Sequence, residues 1–585
     1  MCHNLYSLFL KDGKTMAIRM TIEDYGPHPE QYLRAPGTQS CYEYIHECYN
    51  RIRKDLGDDY TAFMIPVADK ESAVTMPRLF ADIEKLAGYF HSIGLKKGDV
   101  YTVFLPTCGH AVVALYALNK LGIIANYVHP MTPPNALEEI MRHTKSKGIL
   151  TLDLFAGPFA GVLEKYPSVV GSVSDFCDGV ALQYALYNEK QNANVPDLDT
   201  ITLYRDILQM ELPEAEAVRD MGKQDAFYMH GGGTTGKSKT IRLSSYAFNS
   251  LAYKFYLLDI PHDYKNCHAI SAIPCFHAYG LAGVIHYGIC NAYKPFLCPK
   301  FDARQINEII RKYKITEFIG VPKMFQKLMQ EDNFENEGLK NLQMTFAGSD
   351  IVSKAFVDEF DAIMEKHGAQ ARMCRGYGLT EVCGVVTSNG AAGPYCKDST
   401  GFPLYGLTVE IWDENGKKLP TGTVGEICVT GDSIMNGYLQ DDVIHDSGIY
   451  TDKNGTDWIR TGDMGYMDED GFIYFAGRIK RIIIISGYNI YPATIEEKVD
   501  TLDYINEVCA VQGYSKDGKP LVKLVVSLKD QSADQEKVKA DLKAFCEANL
   551  ESIAVPRKYE IMELLPRTKM EKIDFMKLTD PIPDV

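Results

Sequence analysis

Between Leu79 and Pro130 helical and strand patterns alternate without a break. In LFADIEKLAGYFHSIG, Leu79, Ile83, Leu86 and Phe90 recur at the spacing of one helical stripe, and Gly94 supplies a stop. LKKGDVYTVFLPT reads as a turn and a buried strand, AVVALYALNKLG as a helix, and IIANYVHP as a second apolar strand. Parallel strands need crossover connections, and helices supply them. The alternation therefore predicts a layered α/β architecture with largely parallel strands. The most apolar run, AVVALYALNKLGIIANYV, is interrupted by Asn119, Lys120 and Asn126. It falls short of the ~20 apolar residues that cross a bilayer, so a buried helix and strand are expected, with no membrane span.

A chain of 585 residues exceeds what one core supports, so several domains are expected. The composition shifts after TGDMGYMDEDGFIYFAGRIKRIIIISG, where turn-rich β structure gives way to a βαβ-like tail. We place a boundary near Lys480: a large domain over 1–479, with residues 1–50 as an extension, and a small α+β domain over 480–585. The net charge of −16 excludes a general nucleic-acid binder, whose footprint is basic. Any anionic ligand must then be met by local Lys, Arg, backbone amides or metal. Fifteen cysteines without a C-x-x-C pair suit free thiols in a reducing compartment. MCHNLYSLFLKDGK lacks the basic leader of a signal peptide, and a cytoplasmic protein is expected.

One loop is ambiguous. Gly231 to Ser238 spell G-G-G-T-T-G-K-S, which satisfies the P-loop pattern of nucleoside triphosphatases. A P-loop must feed directly into a helix whose N-terminus faces the phosphates. Here KTIRLSS follows, with the β-branched alternation of a return strand. Strand, Gly/Thr-rich loop, strand is the better account, and such a loop offers hydroxyls and backbone N–H groups to phosphate oxygens. The alternative from another class is a P-loop ATPase with Lys237 as its essential lysine.

YMHGGGTTGKSK resembles the phosphate loop of the adenylate-forming (AMP-binding) superfamily, which includes acyl- and aryl-CoA synthetases. RGYGLTE at Arg375–Glu381 resembles the family's Y-G-x-T-E, GEICVTGDSIMNGY its G-E-[IL]-x-[IV]-x-G…G-Y, and WIRTGD its Y-R-T-G-D. GRIKRIIIISGYNIYPATIEE resembles the opening of its C-terminal domain, and PRTKMEKID its terminal lysine motif. The motifs run in family order from about residue 75 to the end. The resemblance implies a large adenylation domain of α/β subdomains with a small β-rich subdomain, followed by a small mobile lid.

The chemistry implied is attack by a carboxylate on the α-phosphate of ATP. Repulsion must be cancelled there and in-line geometry held. By resemblance, Gly233, Thr234, Thr235 and Gly236 wrap the β- and γ-phosphates, with Lys239 as the loop lysine. Glu381 holds Mg²⁺, and Thr380 reaches a phosphate oxygen. Tyr377 stacks on adenine, Asp463 accepts the ribose hydroxyls, and Arg478 binds near the ribose and phosphate. Gly348, Ser349 and Gly378 complete the nucleotide site. Lys572 is the catalytic lysine, although Glu571 stands where the family has glycine. Lys480 is the hinge, and Gly487 lines the pantetheine tunnel of coenzyme A.

IPCFHAYGLAG resembles the family's P-x-F-H segment, which puts His277 beside the acid. Amino-acid-activating relatives carry an Asp here, and this chain has Phe276-His277 instead. The flanks AGSDI and EVCGVV are small or apolar, so an uncharged hydrophobic acid, fatty or aromatic, is expected. GDSIM mimics a carrier-protein phosphopantetheine site at Ser433, yet it lies inside a family motif. Free coenzyme A is the expected thiol acceptor, and a separate acyl carrier protein is the alternative.

Overall fold

The computed structural model describes residues 35–231, 239–258, 264–350, 352–390, 395–440, 447–485, 488–515, 518–568 and 572–581. The helix Met76–Ser92 begins at Thr75, whose hydroxyl accepts from the Arg78 amide, and Pro77 occupies its first turn. Leu79, Ile83, Leu86 and Phe90 are all buried, and Gly94 follows at φ +84° in the left-handed region. The next helix, Gly109–Lys120, is buried on every side. That explains an apolar pattern without a polar face. Its Lys120 ends against Glu84 as an ion pair.

Two large sheets and a smaller one build the first part of the chain. The first is seven-stranded. Its core runs parallel through Ile201–Leu203, Ser168–Gly171, Ser146–Leu152, Val100–Val103, Ile124–Tyr127 and Asp225–Gly231. Lys239–Ser244 then closes that edge antiparallel to Asp225–Gly231. The segment after the Gly/Thr loop is therefore a strand, and the helix Ser245–Leu258 starts only afterwards. This is the hairpin expected from KTIRLSS and not the strand–helix step of a P-loop.

The second sheet is nine-stranded. His268–Ser271, Ile315–Gly320, Met344–Ala347 and Met373–Tyr377 lie side by side and parallel within it. A five-stranded antiparallel sheet follows, containing Gly425–Gly431, Asp457–Met467 and Ile473–Arg478. After the short 3₁₀ turn Ile479–Arg481 come a hairpin, the helix Pro492–Val499 and a three-stranded sheet covered by Gln535–Asn549. Buried residues from Ile483 to Val555 form a core of their own.

Among the described residues no helix is long and apolar enough to cross a membrane. None of the fourteen cysteines in this region forms a disulfide. Ser433 is fully buried, and its hydroxyl is held by the ammonium of Lys254. A phosphopantetheine arm has no access to it, so the carrier-like GDSIM is structural.

Candidate functional site

The motif residues converge because neighbouring parallel strands deliver them at their carboxyl ends, where open α/β sheets bind ligands. Tyr377 ends Met373–Tyr377, Gly348 and Ser349 follow Met344–Ala347, and His277 follows His268–Ser271 by one turn. The turns are tightly specified. A Cβ on Gly378 would stand 1.9 Å from the carbonyl oxygen of Gly384. Ser349 holds φ at +71°, which is uncommon for a residue with a side chain and clusters at binding sites.

Asp463 lies on Asp457–Met467, directly across from Arg478 on the neighbouring strand. Its Oδ2 accepts from the Tyr377 hydroxyl at 2.8 Å, and its Oδ1 faces Arg478 Nε at 3.2 Å. The carboxylate is buried, and Oδ1 has no hydrogen bond. Burial raises the Asp463 carboxyl above its ordinary range, while Arg478 and the Tyr377 hydroxyl oppose the rise. A buried carboxylate oxygen lacking a donor fits a hydroxyl-bearing ligand. Tyr377 is buried too, with one face on Phe475 at 5.9 Å between centroids.

Glu381 sits in the turn Thr380–Val382, and its charge acts on Asp463. The Tyr438 hydroxyl donates to Glu381 Oε1 at 2.9 Å, and Lys239 Nζ stands 4.0 Å from the centre of the Tyr438 ring. No ion pair engages Glu381 among the described residues, nor do three or more acidic, His or Cys side chains gather into a metal cage. A carboxylate with one free oxygen suits Mg²⁺, which keeps waters and phosphate oxygens around one or two protein ligands. Gly233, Thr234, Thr235 and Gly236 lie outside the described residues, as do Gly487 and Glu571.

Lys572 comes from the far end of the chain, where its carbonyl accepts from Thr568 N–H at 2.8 Å beside a bridge between Arg567 and Ile573. Its side chain keeps contact with solvent, yet stands in the field of Asp350, Arg478 and Asp463. Loss of bulk water there lowers the ammonium pKa; Asp350 and Asp463 oppose this, and Arg478 reinforces it. In turn the Lys572 charge acts on both Asp463 and His277. Burial, then His129, then Lys572 lower the His277 imidazole to about 4, so it is neutral at pH 7. The Phe276 ring packs between His129 and His277, at 4.4 and 4.8 Å. Lys480 is exposed in the turn Ile479–Arg481 that joins the two parts.

Three residues of this region carried no role in the sequence reading. Tyr438 was visible only as the last letter of a motif. Asp350 lies in the flank AGSDI, read as small or apolar, yet its charge supports Lys572. Arg375 is buried with Nε and Nη2 unbonded, and burial lowers its pKa while Glu497, beyond the joining turn, opposes that. No local pattern distinguishes such residues from surface charges.

A family profile described as AMP-binding enzyme matches residues 55–439, and one described as AMP-binding enzyme C-terminal domain matches residues 494–572. A long-chain-fatty-acid–CoA ligase of Bacillus subtilis is 30% identical over 514 residues, spanning 86% of this chain and 88% of the relative. A probable 4-coumarate–CoA ligase of Dictyostelium discoideum is 29% identical over 449 residues, spanning 74% of this chain and 77% of that one. Among solved structures, a benzoate CoA ligase from Burkholderia xenovorans superposes with a TM-score of 0.76 at 19% identity, covering 92% of this chain and 99% of that one. An anthranilate CoA ligase bound to anthranoyl-AMP superposes at 0.77 and 18% identity, with 93% and 97% covered. With both profiles matched in sequence order and together spanning most of its length, the chain belongs to the AMP-binding enzyme family.

Proposed function

We propose that this enzyme is an acid–thiol ligase that activates a hydrophobic carboxylic acid, fatty or aromatic, as acyl-AMP and transfers it to coenzyme A. The observation that carries the reading is Lys572, whose charge acts on His277 and Asp463 from the opposite end of the chain. A carboxylate oxygen attacks the α-phosphorus of ATP, and the bond to pyrophosphate breaks. The Lys572 ammonium bridges the attacking carboxylate and the α-phosphate, as a point charge where negative charge accumulates. Asp463 and Tyr377 hold the nucleoside. Mg²⁺, when bound through Glu381, supplies charge neutralisation on the phosphates. The coenzyme A thiol, as thiolate, then attacks the acyl carbonyl and AMP leaves.

Neutral His277 and the absence of an acidic residue at Phe276-His277 favour an acid without an ammonium group. Fatty and aryl acids are also the substrates named for the relatives. The test is ATP–pyrophosphate exchange across a panel of acids. Exchange is expected with fatty or aryl acids and not with zwitterionic amino acids; the reverse pattern overturns the reading. Supplying coenzyme A or a carrier protein then separates the two acceptors.

A further inference from the structure

The segment that ends the G-E-I…G-Y motif is bonded onto the strand behind the phosphate loop. The Arg242 N–H donates to Gly437 O at 3.0 Å, Asn436 N–H to Arg242 O at 2.8 Å, and Leu439 N–H to Thr240 O at 2.9 Å. This antiparallel pairing sets Tyr438 opposite Ile241 and brings its ring beside Lys239, the residue that opens the strand. The ring has one place to sit. A Cβ on Gly448 would stand 2.3 Å from Tyr438 Cε2, and Tyr438 N–H donates to Ser447 O at 2.9 Å. Upstream, the Lys254 ammonium pins Asp432 and Ser433, and Met435 N–H donates to the backbone carbonyl of Glu381 at 2.8 Å. Both the backbone and the carboxylate of Glu381 are thus held by residues 435 and 438 of one segment.

We propose that Tyr438 is a positioning residue for the metal-binding carboxylate, its hydroxyl fixing Glu381 Oε1 so that Oε2 is presented to the cation beside the triphosphate. The inference rests on the adenylating reading of Glu381. A neutral donor suits this task, since a lysine or arginine in its place would cancel the charge that attracts Mg²⁺. The ammonium of Lys239 on the ring face is an attractive cation–π contact, and it draws electron density from the phenol, which strengthens the donation. Tyr438 thereby links the strand behind the phosphate loop to the carboxylate, through its ring face on one side and its hydroxyl on the other. Among the described residues no side chain engages Oε2, so the open oxygen belongs to the ligand.

The test uses the full chain with Mn²⁺ as probe and a non-hydrolysable α,β-methylene analogue of ATP. Metal binding is followed by electron paramagnetic resonance. Tyr438→Phe keeps the ring and removes only the hydroxyl. It should weaken Mn²⁺ in the ternary complex about tenfold, the range seen when a partner behind a metal ligand is lost. The Mg²⁺ needed for half-maximal pyrophosphate exchange should rise by the same factor. Thioester formation from pre-made acyl-adenylate should not change. Placing p-aminophenylalanine at position 438 restores a donor and should restore Mn²⁺ affinity. Unchanged Mn²⁺ affinity in Tyr438→Phe, or no rescue by the amino analogue, overturns the proposal. If the unaltered enzyme exchanges pyrophosphate with no acid at all, the adenylating reading itself fails, which is a separate outcome.

Discussion

At Gly378 any side chain would begin 1.9 Å from the Gly384 carbonyl oxygen, so the turn between Tyr377 and Thr380 is open to glycine alone. Gly378→Ala must move backbone, at a cost of about 1–3 kcal/mol for an overpacked site. Because the turn joins Tyr377 to Glu381, it should also weaken ATP binding at least about tenfold, since 1.4 kcal/mol is a decade in affinity. Calorimetry with an ATP analogue and a thermal melt check both, and a variant that binds normally would refute the tight-turn account. A second residue separates the two readings of the Gly/Thr loop. Lys237 is essential in a P-loop and has no assigned contact in the adenylating reading, so Lys237→Ala is expected to keep most exchange activity. An inactive Lys237→Ala beside a nearly normal Lys572→Ala would restore the P-loop interpretation. Tyr438 and Asp350 were beyond reach at this scale of sequence reading, because their roles depend on neighbours 57 and 222 residues away.

The helix Gly109–Lys120 is fastened to the turn Val173–Phe176 by a buried pair, His110 Nε2 to Asp175 Oδ2 at 2.9 Å. Burial alone would lower the imidazole pKa, but the hydrogen bond to Asp175, helped by Cys108, outweighs it and raises the value to about 9. A raised folded pKa means the stabilisation is complete below the unfolded value of about 6.5 and is lost as pH climbs through about 9. The shift corresponds to about 3 kcal/mol at most. Denaturant unfolding of wild type and His110→Gln should therefore diverge most near pH 6 and converge above pH 9. A gap independent of pH would show that His110 acts by shape alone. The helix itself was legible, since twelve successive buried residues leave an unmistakable apolar run. The ion pair was not, because a lone His and a distant Asp form no pattern.

Over the whole molecule, the proposed adenylation requires Lys572 to be presented to the strand ends by the C-terminal part. Lys572→Ala is expected to lower adenylate formation by about 10²–10³, the loss of one charge contact in the transition state. Transfer from pre-made acyl-adenylate to coenzyme A should continue, because a rotation about Lys480 would present another face for that step. Rapid-quench measurement of each half-reaction separates them, and equal loss in both would argue against a rotating lid. Arg375 belongs to the same scale. Its Nε and Nη2 lie buried and unbonded on the first part, while the carboxylate that acts on it most strongly, Glu497, belongs to the second.

Periodicity and motif order in this sequence determined the α/β layering, the hairpin around the Gly/Thr loop, and the family, because these depend on neighbours within a few residues or on short segments in a set order. KTIRLSS betrays a strand by its own alternation, and RGYGLTE or WIRTGD marks its place without reference to anything distant. Only the tertiary structure decided that Tyr438 grips Glu381, that Lys254 seals Ser433 away from any phosphopantetheine arm, and that Lys572 shares its field with Asp350 and His277. Those partners are brought together by sheet pairing and domain packing. Charge and hydrogen bonding act across space, over separations that no local pattern in a chain records.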